Sequence, residues 1–233
     1  MVPIPLTDHI RRRTFWAVTL LLIVVNFWVF FMELSLGPQL NRFIMLYGVV
    51  PARYVSTSLF TLPPRFTIGS IFVSMFLHGG WLHILGNMLF LFVFGRSIED
   101  RFGHFQFLFL YLASGVAAAL VQIAVNPGSR VPTIGASGAI AGVLGAYFIC
   151  FPSARITTLI PLFIIFWTVR LPAILLLGYW FLIQFLAGYQ MLNIQTATQG
   201  GVAWWVHIGG FLCGVLLALI LRPVRAGPMM QTA

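Results

Sequence analysis

Four polar side chains, each set in apolar sequence, are of the types that can together catalyse acyl transfer. They are Ser137, His207, His83 and Asn87. A neutral imidazole can remove the proton of a serine hydroxyl while the hydroxyl attacks a carbonyl carbon. The N–H groups of an imidazole and a carboxamide can stabilise the oxyanion that this attack produces. These residue types indicate Ser137 with His207 as a candidate catalytic pair, and His83 with Asn87 as candidate oxyanion donors.

The small number of carboxylates argues against other catalytic classes. The chain has only four of them, Asp8, Glu33, Glu99 and Asp100. An aspartyl intramembrane protease needs two buried aspartates, and proton relays in membranes commonly use carboxylates. The zinc-binding pattern His-Glu-x-x-His does not occur in the sequence. Neither a metal nor another cofactor is expected.

The composition indicates a protein embedded in a membrane. Of the 233 residues, 60% are hydrophobic and 7% are charged, whereas charged residues make up about 25% of a soluble domain. Uncharged apolar windows recur along the chain, and a helix of about 20 such residues spans the hydrocarbon core. Residues 15–222 are therefore predicted to form one membrane domain, between a cytoplasmic N-terminal segment, 1–14, and a cytoplasmic C-terminal tail, 223–233.

Six membrane-spanning helices are predicted from these windows. Their limits are Phe15–Met32, Leu82–Phe94, Phe105–Val125, Thr133–Phe151, Leu171–Gln190 and Val202–Leu221. Long connections are expected at Glu33–Arg65, as an ordered outer loop, and at Met191–Gly201. The apolar segment Ile156–Val169 is only about 14 residues long, which is short for a span and suits a re-entrant or interfacial piece.

The positions of the arginines support six crossings. The net charge of +9 arises from 13 arginines and four carboxylates. With the N-terminus in the cytoplasm, nine arginines fall on the cytoplasmic side and four fall outside, in agreement with the positive-inside rule. A seventh crossing would move Arg222 and Arg225 outside and weaken this bias. Because the arginines are scattered rather than clustered on a basic face, no nucleic-acid partner is expected.

This topology brings the candidate catalytic side chains to one depth. By helical rise, Ser137 lies about 6 Å below the start of its span, His207 about 8 Å and His83 about 5 Å. His83 and Asn87 are four residues apart, so they share one helix face. With seven crossings, His207 would lie near the opposite membrane face. Six spans therefore allow the serine, the histidine and the two donors to meet.

Each of these residues also has an ordinary structural explanation. The small residues around Ser137 are typical of a face where two membrane helices pack closely, and Gly210 and Gly214 suit the opposing helix. His207 and Asn87 could each form only a hydrogen bond between helices. The catalytic interpretation depends on their joint occurrence at a common depth.

Four spaced motifs cover most of the predicted membrane domain, from Phe66 to about Leu221. They are Gly135-Ala136-Ser137-Gly138, His78-x4-His83-x3-Asn87, His207-x2-Gly210-x3-Gly214 and Gly95-x3-Glu99-x3-Gly103. Together they resemble the rhomboid family of intramembrane serine proteases. The resemblance implies an all-α membrane protein, a six-transmembrane-helix rhomboid-like bundle with both termini in the cytoplasm.

The same resemblance implies a role for each candidate residue. Ser137 would be the nucleophile and His207 the general base. The backbone N–H of Ser137 would join His83 and Asn87 in an oxyanion hole. Glu99 would be a structural glutamate at the cytoplasmic end of the second span.

Two positions near the base depart from the family pattern. Ala141 stands where active members often carry an aromatic residue packed on the histidine, and Val206 stands where alanine commonly precedes it. No third member of a triad is evident. Glu99 lies about 24 Å along the helix from His83, and Glu33 is on the outer side, where position alone does not exclude it. A Ser–His dyad is expected.

The sequence thus predicts an endopeptidase that cleaves transmembrane segments of membrane proteins near the outer face of the bilayer. The alternative is a non-catalytic rhomboid-like protein that binds or escorts membrane clients, for which loss of Ser137 or His207 would be typical. A channel or transporter is disfavoured, because neither internal repeats nor intramembrane carboxylates are evident. The expected partners are transmembrane protein substrates and the lipid bilayer. The compact chain favours a bacterial inner membrane and leaves an organelle open.

Overall fold

The computed structural model describes residues 3–55, 64–162, 165–192, 203–224 and 229–230, which are mostly helical. The α-helices are α1 (Ala17–Ser35), α2 (Leu40–Tyr47), α3 (Ala52–Val55), α4 (Pro64–Val73), α5 (Trp81–Phe90), α6 (Arg96–Phe102), α7 (His104–Val125), α8 (Ser137–Cys150), α9 (Ala173–Leu192) and α10 (Trp204–Ile220). A π-helical turn at Leu91–Gly95 joins α5 to α6, and short 3-10 helices occur at Gly37–Gln39 and Ser74–Phe76.

Among the residues that the structure describes, four helical runs are long and apolar enough to cross a membrane. They are Ala17–Ser35, Trp81–Phe102, His104–Val125 and Ala173–Gln190. The apolar helices α8 and α10 are shorter. All six lie where spans are predicted from the sequence. The predicted outer loop Glu33–Arg65 contains α2 and α3 in its described part, and most of the predicted connection Met191–Gly201 lies outside the described residues.

The second spanning run is longer than predicted. The sequence window ends at Phe94, before a charged stretch, but the helical run continues to Phe102. Glu99 lies in this continuation and is fully buried. Because the carboxylate of Glu99 accepts hydrogen bonds inside the protein, its charge does not force the chain into water.

The helix that carries Ser137 begins later than predicted. Thr133, the predicted first residue of the span, forms a β-bridge with Val49 instead. Gly135 has a φ of +121°, a backbone conformation that lies outside the helical region and favours glycine. The chain therefore reaches α8 through an irregular loop, and Ser137 is the first residue of the helix.

The segment Ile156–Val169, predicted as a re-entrant or interfacial piece, is a β-hairpin. The strands of the described chain are β1 (Ile4–Asp8), β2 (Ile10–Arg11), β3 (Arg155–Leu162), β4 (Ile165–Pro172) and β5 (Met229–Met230). β3 pairs antiparallel with β4 and with β1, which gives a three-stranded sheet in the order β1-β3-β4. The all-α fold class is therefore wrong in part. The hairpin sequence is rich in β-branched residues, which favour strands.

The two terminal segments contact the membrane domain and each other. β1 and β2 lie in the segment 1–14, and β5 lies in the tail 223–233. β1 pairs with the hairpin that follows α8, and β2 pairs with β5. Val224 donates its N–H to the carbonyl oxygen of Arg101 at 3.1 Å. Asp8 and Val224, one from each segment, are therefore bonded at the end of the helices where α6 meets α7.

Asp8 and Asp100 fasten the N-terminal segment at this end, and a third carboxylate, that of Glu99, holds the start of α1. Asp8 is buried, pairs with Arg12 and accepts hydrogen bonds from the hydroxyls of Ser97 and Tyr147. Asp100 accepts a hydrogen bond from the N–H of Thr14 at 2.8 Å. Asp8 thereby finds the partners that a buried charge requires.

The third carboxylate, that of Glu99, caps α1. It accepts the backbone N–H groups of Val18 and Thr19, each at 2.8 Å, and the hydroxyl of Thr19 at 2.6 Å. A negative charge is favourable at a helix N-terminus, where N–H groups lack partners within the helix. The structural role that the family resemblance implies for Glu99 is confirmed.

Helices α8 and α10 pack with their backbones in direct contact. Apart from its ends, all of α8 is buried. An added Cβ at Gly214 would overlap the carbonyl oxygen of Gly142, and one at Gly210 would overlap that of Gly138. Glycines permit this approach, as the sequence predicts for a closely packed pair of membrane helices. The contact determines how the first turns of the two helices face each other.

Gly214→Ala is expected to destabilise the protein, because the new Cβ would push α10 away from Gly142. Overpacking of this kind costs about 1–3 kcal/mol. The measurement is thermal unfolding of the purified protein in detergent. Gly86→Ala in α5 is the matched control, since nothing lies within 4 Å of a Cβ at Gly86. Equal melting temperatures for Gly214→Ala and the wild type would contradict the close packing of α8 and α10.

Candidate active site

Ser137 is half-buried at the N-terminus of α8. The loop before it is held by the N–H of Gly135, which donates to the carbonyl oxygen of Ser74 at 2.8 Å. After the serine, an added Cβ at Gly138 would come within 2.7 Å of the Val206 side chain on α10. Glycines on both sides of Ser137 therefore allow the surrounding elements to approach it closely.

His207 is half-buried in the first turn of α10. Gly138, the residue after Ser137, contacts the residue before His207 and, one turn later, Gly210. The predicted nucleophile and base therefore lie in adjoining turns of two contacting helices. Within the described residues no hydrogen bond joins their side chains, and catalytic hydrogen bonds are often long in the absence of substrate.

The ring of His207 is held by two side chains of α9. Its Nδ1 lies 2.7 Å from Oε1 of Gln184. The ring of Trp180, one turn earlier, lies 5.7 Å from the imidazole between centroids, with an interplanar angle of 42°. The sequence interpretation missed both residues. The available signal was a glutamine within an apolar span, since polar residues in such spans usually have a function.

His83 lies beneath the loop that leads into α8. Its Nδ1 accepts a hydrogen bond from the N–H of Gly79 at 3.4 Å. Because one nitrogen of a neutral imidazole accepts and the other carries the hydrogen, Nε2 of His83 is a donor. An added Cβ at Gly135 would come within 2.7 Å of this nitrogen.

Asn87 is buried one turn after His83 and is held by His78. The side-chain amide of Asn87 donates to Nε2 of His78 at 3.0 Å, while Nδ1 of His78 lies 3.2 Å from the carbonyl oxygen of Phe76. A carboxamide nitrogen carries two N–H groups, so Asn87 can donate to one further acceptor. An added Cβ at Gly135 would lie 3.7 Å from this nitrogen.

His78 is a structural residue whose role the sequence did not predict. Its backbone N–H donates to both carboxylate oxygens of Glu33, at 3.2 and 3.0 Å, and both residues are buried. The rings of His78 and His83 pack edge to face with their centroids 5.1 Å apart. Glu33 therefore fixes the loop before α5 rather than orienting His207.

The four predicted site residues thus come together at the N-terminus of α8. The first N–H groups of a helix have no partner within it, and the helix dipole favours negative charge there. An oxyanion formed on a carbonyl group attacked by Ser137 would lie near these N–H groups and near the donors His83 and Asn87. The arrangement can support nucleophilic attack by the serine.

Comparison with known proteins places this chain in a family. A family model described as the Rhomboid domain matches residues 65–224. The chain belongs to the rhomboid family. With its long apolar helices, it is an integral membrane protein that crosses the bilayer several times.

Curated relatives of this rhomboid protein come from fungi, plants and bacteria. Rhomboid protein 1, mitochondrial, of Saccharomyces cerevisiae is 31% identical over 184 residues, or 77% of this chain and 46% of the yeast protein. RHOMBOID-like protein 5 of Arabidopsis thaliana is 33% identical over 151 residues, or 64% of this chain and 43% of its own. The Rhomboid protease GluP of Bacillus subtilis is 30% identical over 151 residues, or 65% of this chain and 25% of its own. The chain spans less than half the length of these relatives.

The small residue Ala141 has a packing reason in this rhomboid protein. Ala141 is fully buried against α10, and an added Cβ at Gly210 would lie 3.3 Å from its Cβ. An aromatic ring at position 141 would force the two helices apart. Trp180 packs against the ring of His207 instead. The aromatic contact to the histidine therefore comes from α9 rather than from α8.

Gly135→Ala is expected to slow the reaction of Ser137 with a fluorophosphonate probe. The new Cβ would displace the donors His83 and Asn87, and the φ of Gly135 is strained for alanine. The loss of one oxyanion donor lowers turnover by about 10²–10³, and a similar drop in labelling rate is expected. Gly128→Ala, in the same loop with open space around it, is the control. Wild-type labelling by folded Gly135→Ala protein would show that this loop does not shape the site.

Proposed function

We propose that this rhomboid protein is an intramembrane serine endopeptidase that cleaves transmembrane segments of other membrane proteins near the outer face of the bilayer. Ser137 and His207 form its catalytic dyad. The observation that carries the proposal is the position of Ser137 at a helix N-terminus, between the turn of α10 that bears His207 and the donors of α5. The relative GluP, which is named a protease, supports the same activity.

Each side chain has one task in the proposed reaction. The hydroxyl of Ser137 attacks the carbonyl carbon of the scissile bond while Nε2 of His207 takes its proton. The N–H groups of Ser137, His83 and Asn87 stabilise the oxyanion. The protonated His207 then gives its proton to the leaving amine, and water, activated by the same histidine, hydrolyses the acyl-enzyme.

Six crossings with both termini in the cytoplasm are part of the proposal. Nine of the 13 arginines then lie on the cytoplasmic side. The bonds of Asp8 to Tyr147 and of Val224 to Arg101 lie at the end of the helices remote from Ser137, so the serine lies toward the outer face. With 14 and 17 residues, α8 and α10 are about 21 and 26 Å long. Although α8 is shorter than the hydrocarbon core is thick, it is surrounded by the other helices rather than by lipid.

The proposed location is a bacterial inner membrane. The relative from Bacillus subtilis supports this location. Other relatives are named as mitochondrial or chloroplastic. Membrane fractionation of the source cells decides between a cell membrane and an organelle.

Ser137→Ala is expected to abolish both cleavage of a transmembrane substrate and fluorophosphonate labelling, while membrane insertion is unchanged. His207→Ala should lower both nearly as far, because the hydroxyl loses its base. The assays are cleavage by purified protein in proteoliposomes and labelling in detergent. EDTA should have no effect on either.

Ser114→Ala provides the matched control for these variants. Ser114 is a buried serine on α7 that faces Gly142, away from the helix N-terminus, and its loss should leave cleavage unchanged. Undiminished cleavage by Ser137→Ala protein would refute the proposed mechanism. A folded wild-type protein that neither labels nor cleaves, but retains membrane clients, would favour the non-catalytic alternative.

The substrate must unwind locally before Ser137 can reach a peptide bond. Within a transmembrane helix the carbonyl groups are hydrogen-bonded along the helix and shielded by side chains. Unwinding in lipid exposes polar groups that cost several kcal/mol each when they lack partners. Glycine and proline reduce helix stability by about 1 and 3 kcal/mol relative to alanine. A substrate helix that contains them near the outer face is therefore easier to open.

Substitution of leucine for the glycine and proline just downstream of the cut is expected to slow cleavage by about tenfold or more, the equivalent of about 1.4 kcal/mol. The two single-span substrates are compared in proteoliposomes, and mass spectrometry identifies the cleavage site. The cut is expected near the outer end of the substrate, after a small residue. Equal rates for the two substrates, or a cut near the cytoplasmic end, would contradict this account.

A further inference from the structure

Gln184 on α9 and His207 on α10 contact each other through their polar side chains. Gln184 is buried and His207 is half-buried. Gln184 on α9 is 7% exposed, and its Oε1 lies 2.7 Å from Nδ1 of His207. A carboxamide oxygen only accepts hydrogen bonds. With the amide of Gln184 in this orientation, Nδ1 of His207 carries the hydrogen, which leaves Nε2 unprotonated.

We propose that Gln184 is the positioning residue of the catalytic base, in the place that a carboxylate occupies in a Ser-His-Asp triad. This inference rests on the proposed function of Ser137 and His207. Through Nδ1, Gln184 selects the tautomer of His207 in which Nε2 can take the proton of the serine hydroxyl. The ring of Trp180 limits rotation of the same imidazole from the α9 side.

None of the four carboxylates could serve in place of Gln184. Glu33 is bonded to the N–H of His78. Asp8 and Asp100 hold the N-terminal segment, and Glu99 the start of α1, at the remote end of the helices. A carboxylate beside His207 would also have to be buried as a charge within the membrane domain, which is unfavourable. A neutral amide orients the ring without that charge.

The expected consequence is a loss of turnover with little change in substrate binding. For histidines that bind a metal, removal of a group that orients the ring through its other nitrogen lowers affinity or activity by about 10- to 100-fold, and a loss of similar size is expected for His207. Gln184→Met keeps the length of the side chain and removes the acceptor, so kcat should fall by about 10- to 100-fold. KM should stay nearly constant, because Gln184 acts through His207.

Nuclear magnetic resonance of protein labelled with ¹⁵N-histidine measures the tautomer directly. The full chain in detergent contains only 5 histidines, and the spectrum of His207→Ala identifies the His207 signals. The wild type should show His207 protonated at Nδ1, and Gln184→Met should show a mixture of tautomers. Gln122→Met is the matched control, because Gln122 is a buried glutamine on α7 whose oxygen accepts from Asn126. It should change neither kcat nor the His207 signals.

Two results would overturn the proposal: a wild-type His207 protonated at Nε2, or a folded Gln184→Met protein with wild-type kcat and tautomer. The wild-type spectrum decides the first even if the variant does not fold. Failure of the proposed function gives a different result. Ser137→Ala protein would then still cleave, whichever tautomer His207 adopts. If Ser137→Ala protein loses cleavage and either overturning result is found, the role of Gln184 is rejected while the catalytic dyad is retained.

Discussion

The close approach of α8 and α10 is the constraint on which the rest of the structure depends. In lipid, apolar helices gain little from replacing lipid contacts by contacts with each other, so close packing requires small residues at the interface. Gly142, Gly210 and Gly214 allow the two backbones to touch. Because the helices meet at this distance, the first turn of α8 lies beside the first turn of α10. Ser137 and His207 are neighbours for that reason.

A second constraint is the high free energy of an unpaired polar group in an apolar medium. Each of the four carboxylates is bonded within the described structure. Asp8 and Asp100 hold the N-terminal segment, and Glu99 the start of α1, at one end of the helices. Glu33 holds the loop at His78 near the other end. These bonds fix both ends of the helices that surround α8. They also leave no carboxylate beside His207, where the neutral Gln184 lies instead.

The proposed chemistry is consistent with an uncharged resting site. A serine, two neutral histidines, an asparagine and a glutamine carry no net charge, which suits a site enclosed by membrane helices. During attack by Ser137, an oxyanion and the imidazolium of His207 form together, so the site gains a pair of opposite charges rather than a single charge. His83 and Asn87 lie beside the loop that leads to Ser137, where the oxyanion would form, and Gln184 contacts His207, which would carry the positive charge.

The sequence by itself determined where the apolar helices lie and that His83 and Asn87 share a helix face, because hydropathy and spacing within one helix are local properties. It did not determine the structure of Ile156–Val169, since a short apolar run suits a strand as well as a membrane segment. In the structure, β3 of this hairpin pairs with the distant strand β1, a contact that is not local in sequence. The support of His207 by Gln184 was likewise decided only by tertiary structure. Which side of α9 faces α10 depends on the rotation of each helix, and packing against neighbouring helices sets that rotation.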